Sequence, residues 1–88
     1  MGFDKPDLQS IKKEIKIFIS SLNNCDVTLV RDETQIFDEG LLESVGLIEL
    51  VVFIEENFAI TVNDTDLFKE NFESVNKIAD LINRKLSV

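Results

Sequence analysis

Leu8, Ile11, Ile15, Phe18 and Leu22 follow one another at intervals of three, four, three and four residues. That spacing predicts an α-helix over 8–22 with one apolar face. Ile17 and Ile19 broaden the stripe, so cover on more than one side is expected. Pro6 and Asp7 suit a first turn, and Asn23-Asn24 ends the segment. Lys12, Lys13 and Lys16 fall off the apolar face and read as a solvated surface. The pattern returns twice. Leu47, Leu50, Val51, Ile54 and Phe58 predict a helix over 44–58, with Ile48, Val52 and Phe53 partly off its buried stripe. Its β-branched residues would suit a strand, but its length and the acids Glu49, Glu55 and Glu56 favour a helix. Val75, Ile78, Ala79, Ile82 and Leu86 give the inner face of a last helix over 75–86, capped by Ser74. Arg84 and Lys85 suit its C-terminus.

Between the first two helices, residues 24–43 follow no single period. A connection this long needs anchors in a compact domain, and Val27, Leu29, Ile36, Phe37, Leu41 and Leu42 are its apolar residues. Asp32-Glu33-Thr34 suggests one helical turn, and Gly40 a tight turn that other residues would strain. Ala59 to Val62 reads as extended. Asn63, Asp64, Thr65 and Asp66 before Leu67-Phe68 form a cap cluster leading into a short helical turn; the acids lack calcium-loop spacing. The expected fold is all-α, one domain over 1–88: a small bundle of three main helices plus one short helix.

Composition narrows the partners. The 88 residues carry a net charge of -8, which argues against a nucleic-acid partner and for basic protein partners. Residues 38–73 hold ten acids against one base, so the negative field centres on the second helix and its flanks. There is no histidine, hence no histidine base or histidine metal ligand, and the single cysteine, Cys25, forms no internal disulfide and reads as a buried or inert thiol. This suits the cytoplasm. No apolar run approaches a membrane span, so no membrane insertion is expected, and Met1-Gly2-Phe3-Asp4 does not open like a signal peptide.

The stretch Phe37 to Val51 concentrates the chemistry. An acidic loop ends in Ser44, which opens an apolar helix. As a nucleophile Ser44 has no base beside it in sequence: no histidine, no Ser-x-x-Lys, no Gly-x-Ser-x-Gly elbow. Two readings stay open on the residues alone: a capping serine, or an exposed acceptor of a modification. A phosphate there would meet free backbone N–H groups and the positive end of the helix dipole, while Glu39, Glu43 and Glu49 oppose further negative charge. At least one of Val52 and Phe53 should approach the surface, either extending the core towards a neighbouring helix or offering an apolar docking spot.

Glu43-Ser44-Val45, preceded by Phe37-Asp-Glu-Gly-Leu-Leu42, resembles the attachment motif of the phosphopantetheine-dependent carriers: acyl, peptidyl and D-alanyl carrier proteins. The family motif is Asp-Ser-Leu at the start of its second helix. Glu49-Leu50-Val51 and Ile54-Glu55-Glu56-Asn57-Phe58-Ala59-Ile60 resemble its Glu-Leu-Val and Leu-Glu-Glu-x-Phe-Gly-Ile, and Asn71-Phe72-Glu73-Ser74-Val75 its entry into the last helix. The likeness spans about 8–86. Glu43 stands in place of the usual aspartate and Val45 in place of leucine. Gly46 forgoes about 1 kcal/mol of helix propensity relative to alanine and clears space near Ser44. Gly40-Leu-Leu-Glu-Ser-Val-Gly46 looks nearer to D-alanyl and some free-standing aminoacyl or polyketide carriers than to fatty-acid carriers.

The resemblance implies an acyl-carrier-like bundle that catalyses nothing itself. A phosphopantetheinyl transferase, using magnesium in its own active site, would move 4′-phosphopantetheine from coenzyme A to Ser44. An adenylating enzyme or acyltransferase would load an acyl or aminoacyl thioester, and a downstream synthase or ligase would take it. Glu39, Glu43, Glu49, Glu55 and Glu56 would meet basic partner residues, with Val45, Gly46, Leu47 and Val52 beside them. A free-standing monomer is expected. The alternative is a carrier-like interaction module with Ser44 unmodified, binding basic partners through the second helix.

Overall fold

The computed structural model describes residues 6–86, so the Met1–Asp4 segment falls outside the described residues, as does the side chain of Ser44. Among the described residues three α-helices form: α1 (Leu8–Leu22), α2 (Ser44–Phe58) and α3 (Val75–Leu86). Short 3₁₀ turns at Val27–Leu29, Asp64–Asp66 and Lys69–Phe72 punctuate the connections. The fold is the expected small all-α bundle, with two 3₁₀ turns where one minor helix was expected between α2 and α3.

Both ends of α1 and the start of α3 have a local cause. At α1, Asp7 Oδ1 accepts from Ser10 N at 2.8 Å, the side-chain cap that a first turn favours. The same helix ends with Asn24 in left-handed backbone (φ 52). Cys25 N donates to Ser20 O at 3.0 Å and Asn24 N to Ser21 O at 3.3 Å, a Schellman closure. Ser74 caps α3 as expected, its Oγ accepting from Lys77 N at 3.3 Å.

The core is a stack of isoleucines. Ile11, Ile15 and Ile19 of α1, Leu50 and Ile54 of α2, and Val75, Ile78, Ala79, Leu81 and Ile82 of α3 are all buried. Each fully buried isoleucine is worth about 1.5–3 kcal/mol of transfer free energy. Ile17, by contrast, faces solvent. The Phe18 and Phe53 rings stack between α1 and α2 with centroids 4.4 Å apart. Phe53 is thus committed to packing, while Val52 faces solvent.

The long connection is a fixed part of the bundle, but not through all the residues expected. Ile36 and Leu42 are buried and Phe37 and Leu41 pack against the core. Val27 and Leu29 are 41 % and 66 % exposed; the 3₁₀ turn that Asp26 caps rotates them outward, and Val30 goes into the core instead. Asp32 starts no helical turn. Its Oδ2 receives Lys12 Nζ at 3.3 Å, and Lys16 Nζ faces its Oδ1, so these two lysines tether the loop to α1 and are not a solvated face. The backbone closes on α3: Asn76 N donates to Asp32 O at 3.0 Å and Ile36 N to Glu73 O at 2.9 Å. Thr34 Oγ1 accepts from Arg31 N at 2.8 Å within a reverse turn.

At the far end of α2, Ala59 adopts left-handed backbone (φ 54, ψ 44). A side chain there costs about 1–2 kcal/mol that glycine avoids. Ala59→Gly should therefore raise stability by about 1 kcal/mol and the melting midpoint by roughly 4–8 °C for a domain of this size. A thermal melt followed by circular dichroism measures both.

Candidate functional site

The site is built where the loop hands over to α2. Gly40 takes φ 72, as its turn requires, and nothing crowds the position of a Cβ there. Gly40 N donates to Phe37 O at 3.1 Å and Leu41 N to Ile36 O at 2.9 Å, closing the turn. The chain then runs extended through Glu43 (φ -100, ψ 178), and Leu47 N donates to Glu43 O at 2.8 Å. Glu43, not Ser44, therefore occupies the N-cap position, and Ser44 is the first residue inside the helix. The reason is that the helical hydrogen bonding already starts at the Glu43 carbonyl. The Glu43 side chain makes no capping hydrogen bond. The first amides of α2 lack intrahelical acceptors, as at any helix start, and among the described residues no side-chain cap covers them.

Beside this N-terminus lies an open depression of about 290 Å³ lined by Leu22, Asn23, Gly40, Glu43, Val45, Gly46 and Glu49. Gly46 is half-buried. A Cβ on it would lie 3.3 Å from Leu42 Cδ1 and 3.8 Å from Leu22 Cδ1, so leucine side chains already hold the room that glycine frees. Leu47 packs partly against the core.

α2 is apolar on two sides. Leu50 and Ile54 face inward, while Val45, Ile48 and Val52 are 68 %, 64 % and 47 % exposed on the outer face. Glu39, Glu43, Glu49 and Glu56 are exposed around them. Beneath this face a shallow groove of about 350 Å³ is lined by Phe18, Ile48, Glu49, Val52, Phe53 and Glu56. Ile48 is the residue that sequence reasoning missed as a candidate contact. The signal was present: Val45, Ile48 and Val52 stand at intervals of three and four, a second stripe beside the core stripe. Glu55 departs from the expectation of a free docking acid. It is half-buried, and its Oε2 accepts from Val62 N at 2.9 Å, holding the chain as it leaves α2.

These features define a small helical domain with one helix N-terminus bordered by acids and exposed apolar side chains. The family described as phosphopantetheine attachment site matches residues 13–82. The chain is 37 % identical over 70 residues to the D-alanyl carrier protein of Streptococcus mutans serotype c, covering 80 % of this chain and 87 % of that protein. It is 38 % identical over 68 residues to the D-alanyl carrier protein of Streptococcus suis, covering 77 % and 85 %. To the acyl carrier protein of Buchnera aphidicola it is 33 % identical over 78 residues, covering 89 % and 96 %. The chain belongs to the phosphopantetheine-dependent carrier protein family. It is a carrier and not a catalyst, and its prosthetic group is 4′-phosphopantetheine. The α2 N-terminus, uncapped by any described side chain, fits such a group: a phosphate held there would meet helix-start amides and the positive helix end.

Away from this site, ion pairs hold the frame of the bundle. The Lys16 ammonium, with Lys12 beside it, keeps the Asp32 carboxyl below the ordinary aspartate range against the opposing effect of partial burial. Lys85, 2.6 Å from Asp66 Oδ2, does the same for Asp66, with help from the Asn63 amide. A carboxyl lowered in the folded state stabilises the fold above its unfolded value and loses that contribution as pH falls through the folded one. Both shifts start from 3.8. The melting midpoint should therefore hold level between about pH 7 and 5 on their account and fall below about pH 4. Asp32→Asn should lower the midpoint at neutral pH and flatten the acid limb, read by melts across pH.

Proposed function

We propose that Ser44 carries the prosthetic group and that the outer face of α2 is where partner enzymes dock. The observation that carries this reading is the position of Ser44 as first residue of α2, at a helix start that no described side chain caps. The Glu43-Ser44-Val45 resemblance supports the same residue. When attached, the group supplies a thiol that holds an acyl or aminoacyl cargo as a thioester. The Gly40 to Gly46 run and the two D-alanyl carrier relatives favour an aminoacyl cargo.

The chain's own residues do three things in this scheme. The Phe37–Gly40 turn and the Leu41 backbone hold the approach to Ser44 in one geometry. Glu39, Glu43, Glu49 and Glu56 draw in basic partner surfaces; such rim charges set association rate and orientation more than affinity. Val45, Ile48 and Val52, with Gly46 and Leu47 at the edge, offer the apolar contact. Glu55 serves mainly to fix the end of α2. The partners are a phosphopantetheinyl transferase, an adenylating enzyme or acyltransferase, and a downstream synthase or ligase, met by a monomer in the cytoplasm. No helix among the described residues is long and apolar enough to cross a membrane.

Incubation with coenzyme A, magnesium and a phosphopantetheinyl transferase should add a single phosphopantetheine to the wild-type protein, read by intact mass. Ser44→Ala should gain none while melting like the parent. An adduct retained in Ser44→Ala, or none on folded wild type with several transferases, would overturn the assignment. The second of these results would favour a binding module that works through α2 alone.

A further inference from the structure

The side chain of Asn23 joins the end of α1 to the loop that presents Ser44. Its Nδ2 donates to Leu41 O at 2.7 Å and to Ile19 O at 2.9 Å. Both hydrogens of one amide are therefore spent on two carbonyls that lie in different parts of the chain. An amide NH₂ on a short stem suits this bridge: a serine has one hydrogen to give and an ionised aspartate has none. Leu41 is held from the other side as well, because its N–H donates to Ile36 O at 2.9 Å. The next residue, Leu42, is buried. The peptide three residues before Ser44 is thus fixed at its nitrogen, its carbonyl and the following side chain. Asn23 also lines the depression that Glu43, Val45 and Gly46 border.

The tether joins rigid to aperiodic structure. α1 is anchored by three fully buried isoleucines and ends in the Schellman closure just after Asn23. Loop residues 38–40 are exposed, and the bonds Glu39 N to Gln35 O and Gly40 N to Phe37 O hold them only to their own turn. The hydrogen bond from the fixed helix end to Leu41 O joins the Leu41 N–Ile36 O bond and the buried Leu42 side chain in fixing the segment that enters α2.

We propose that Asn23 is a positioning residue for modification of the carrier. Its amide bridge sets where the first residue of α2 is presented to the modifying enzyme, and it acts through the Leu41 carbonyl without touching the reacting atoms. The proposal rests on the reading of Ser44 as the attachment residue.

The test compares transfer from coenzyme A by one phosphopantetheinyl transferase onto wild type, Asn23→Ala, Asn23→Gly and Ile82→Val. Glycine is well accepted at a helix end, so Asn23→Gly repeats the test in a variant that keeps α1 terminated. Ile82→Val weakens the core in α3 and serves as the control for lost stability. Circular dichroism melts measure the folded fraction of each. Both Asn23 variants should lose about tenfold in kcat, within the range that a misplaced reacting group costs, with the KM for the carrier changed less than twofold because the outer face of α2 is intact. Ile82→Val should keep the wild-type kcat. Wild-type kcat in both Asn23 variants, or a loss confined to KM that tracks the unfolded fraction, would overturn the positioning role. Wild-type protein left unmodified would overturn the Ser44 reading and this proposal with it, a result distinguishable from the others by its appearing before any variant is made.

Discussion

The Asp32 carboxylate faces two ammonium groups of α1, from Lys12 and Lys16, while its backbone carbonyl accepts from Asn76 in the first turn of α3. One residue thus joins the long connection to both helices it crosses. An exposed ion pair is worth little on its own. Here the two pairs are partly sheltered and act with the Ile36–Glu73 backbone bond and the burial of Val30, Ile36 and Leu42. Ordering some twenty residues without regular structure costs about 1–2 kcal/mol of backbone entropy per residue. Tethers at several points along the segment oppose that cost, and they let a loop behave as part of the bundle.

The three helices were legible in the sequence because their apolar residues keep a period, and a period is a local property. Leu8–Leu22, Ser44–Phe58 and Val75–Leu86 emerge as the spacing predicts. The connection was less legible, because its anchors depend on which way each short turn rotates its side chains. Val27 and Leu29 look as apolar as Val30, yet the turn that Asp26 caps sends them out and Val30 in. Lys12 and Lys16 sit where a solvated face belongs on α1, and only the folded path of the loop brings Asp32 to them. The same holds for Asn23, which reads as a helix stop and serves also as a bridge.

The candidate site divides along the same line. Ser44 at the head of α2 was visible from motif and period, as was the acidity around it. The outer stripe was half visible: Val45 and Val52 stood out, while Ile48 hid among residues that a buried helix also uses. A helix apolar on two sides has one side too many for a bundle this small, and in the function proposed above the surplus side is where partners dock. Ringing it with acids suits a shuttle. Charge speeds and orients encounter, and a small apolar contact lets the partner go.

The proposed presentation of Ser44 depends on the 24–43 connection being held in one arrangement by its tethers. Amide hydrogen exchange on the wild-type protein reads this directly. The N–H groups of Ile36, Leu41 and Asn76, which donate to Glu73, Ile36 and Asp32, should exchange orders of magnitude more slowly than open-chain amides, with protection approaching that of the α1 core. Exchange of Ile36 and Leu41 at open-chain rates while α1 and α3 stay protected would contradict it, leaving Ser44 at the end of a loose loop.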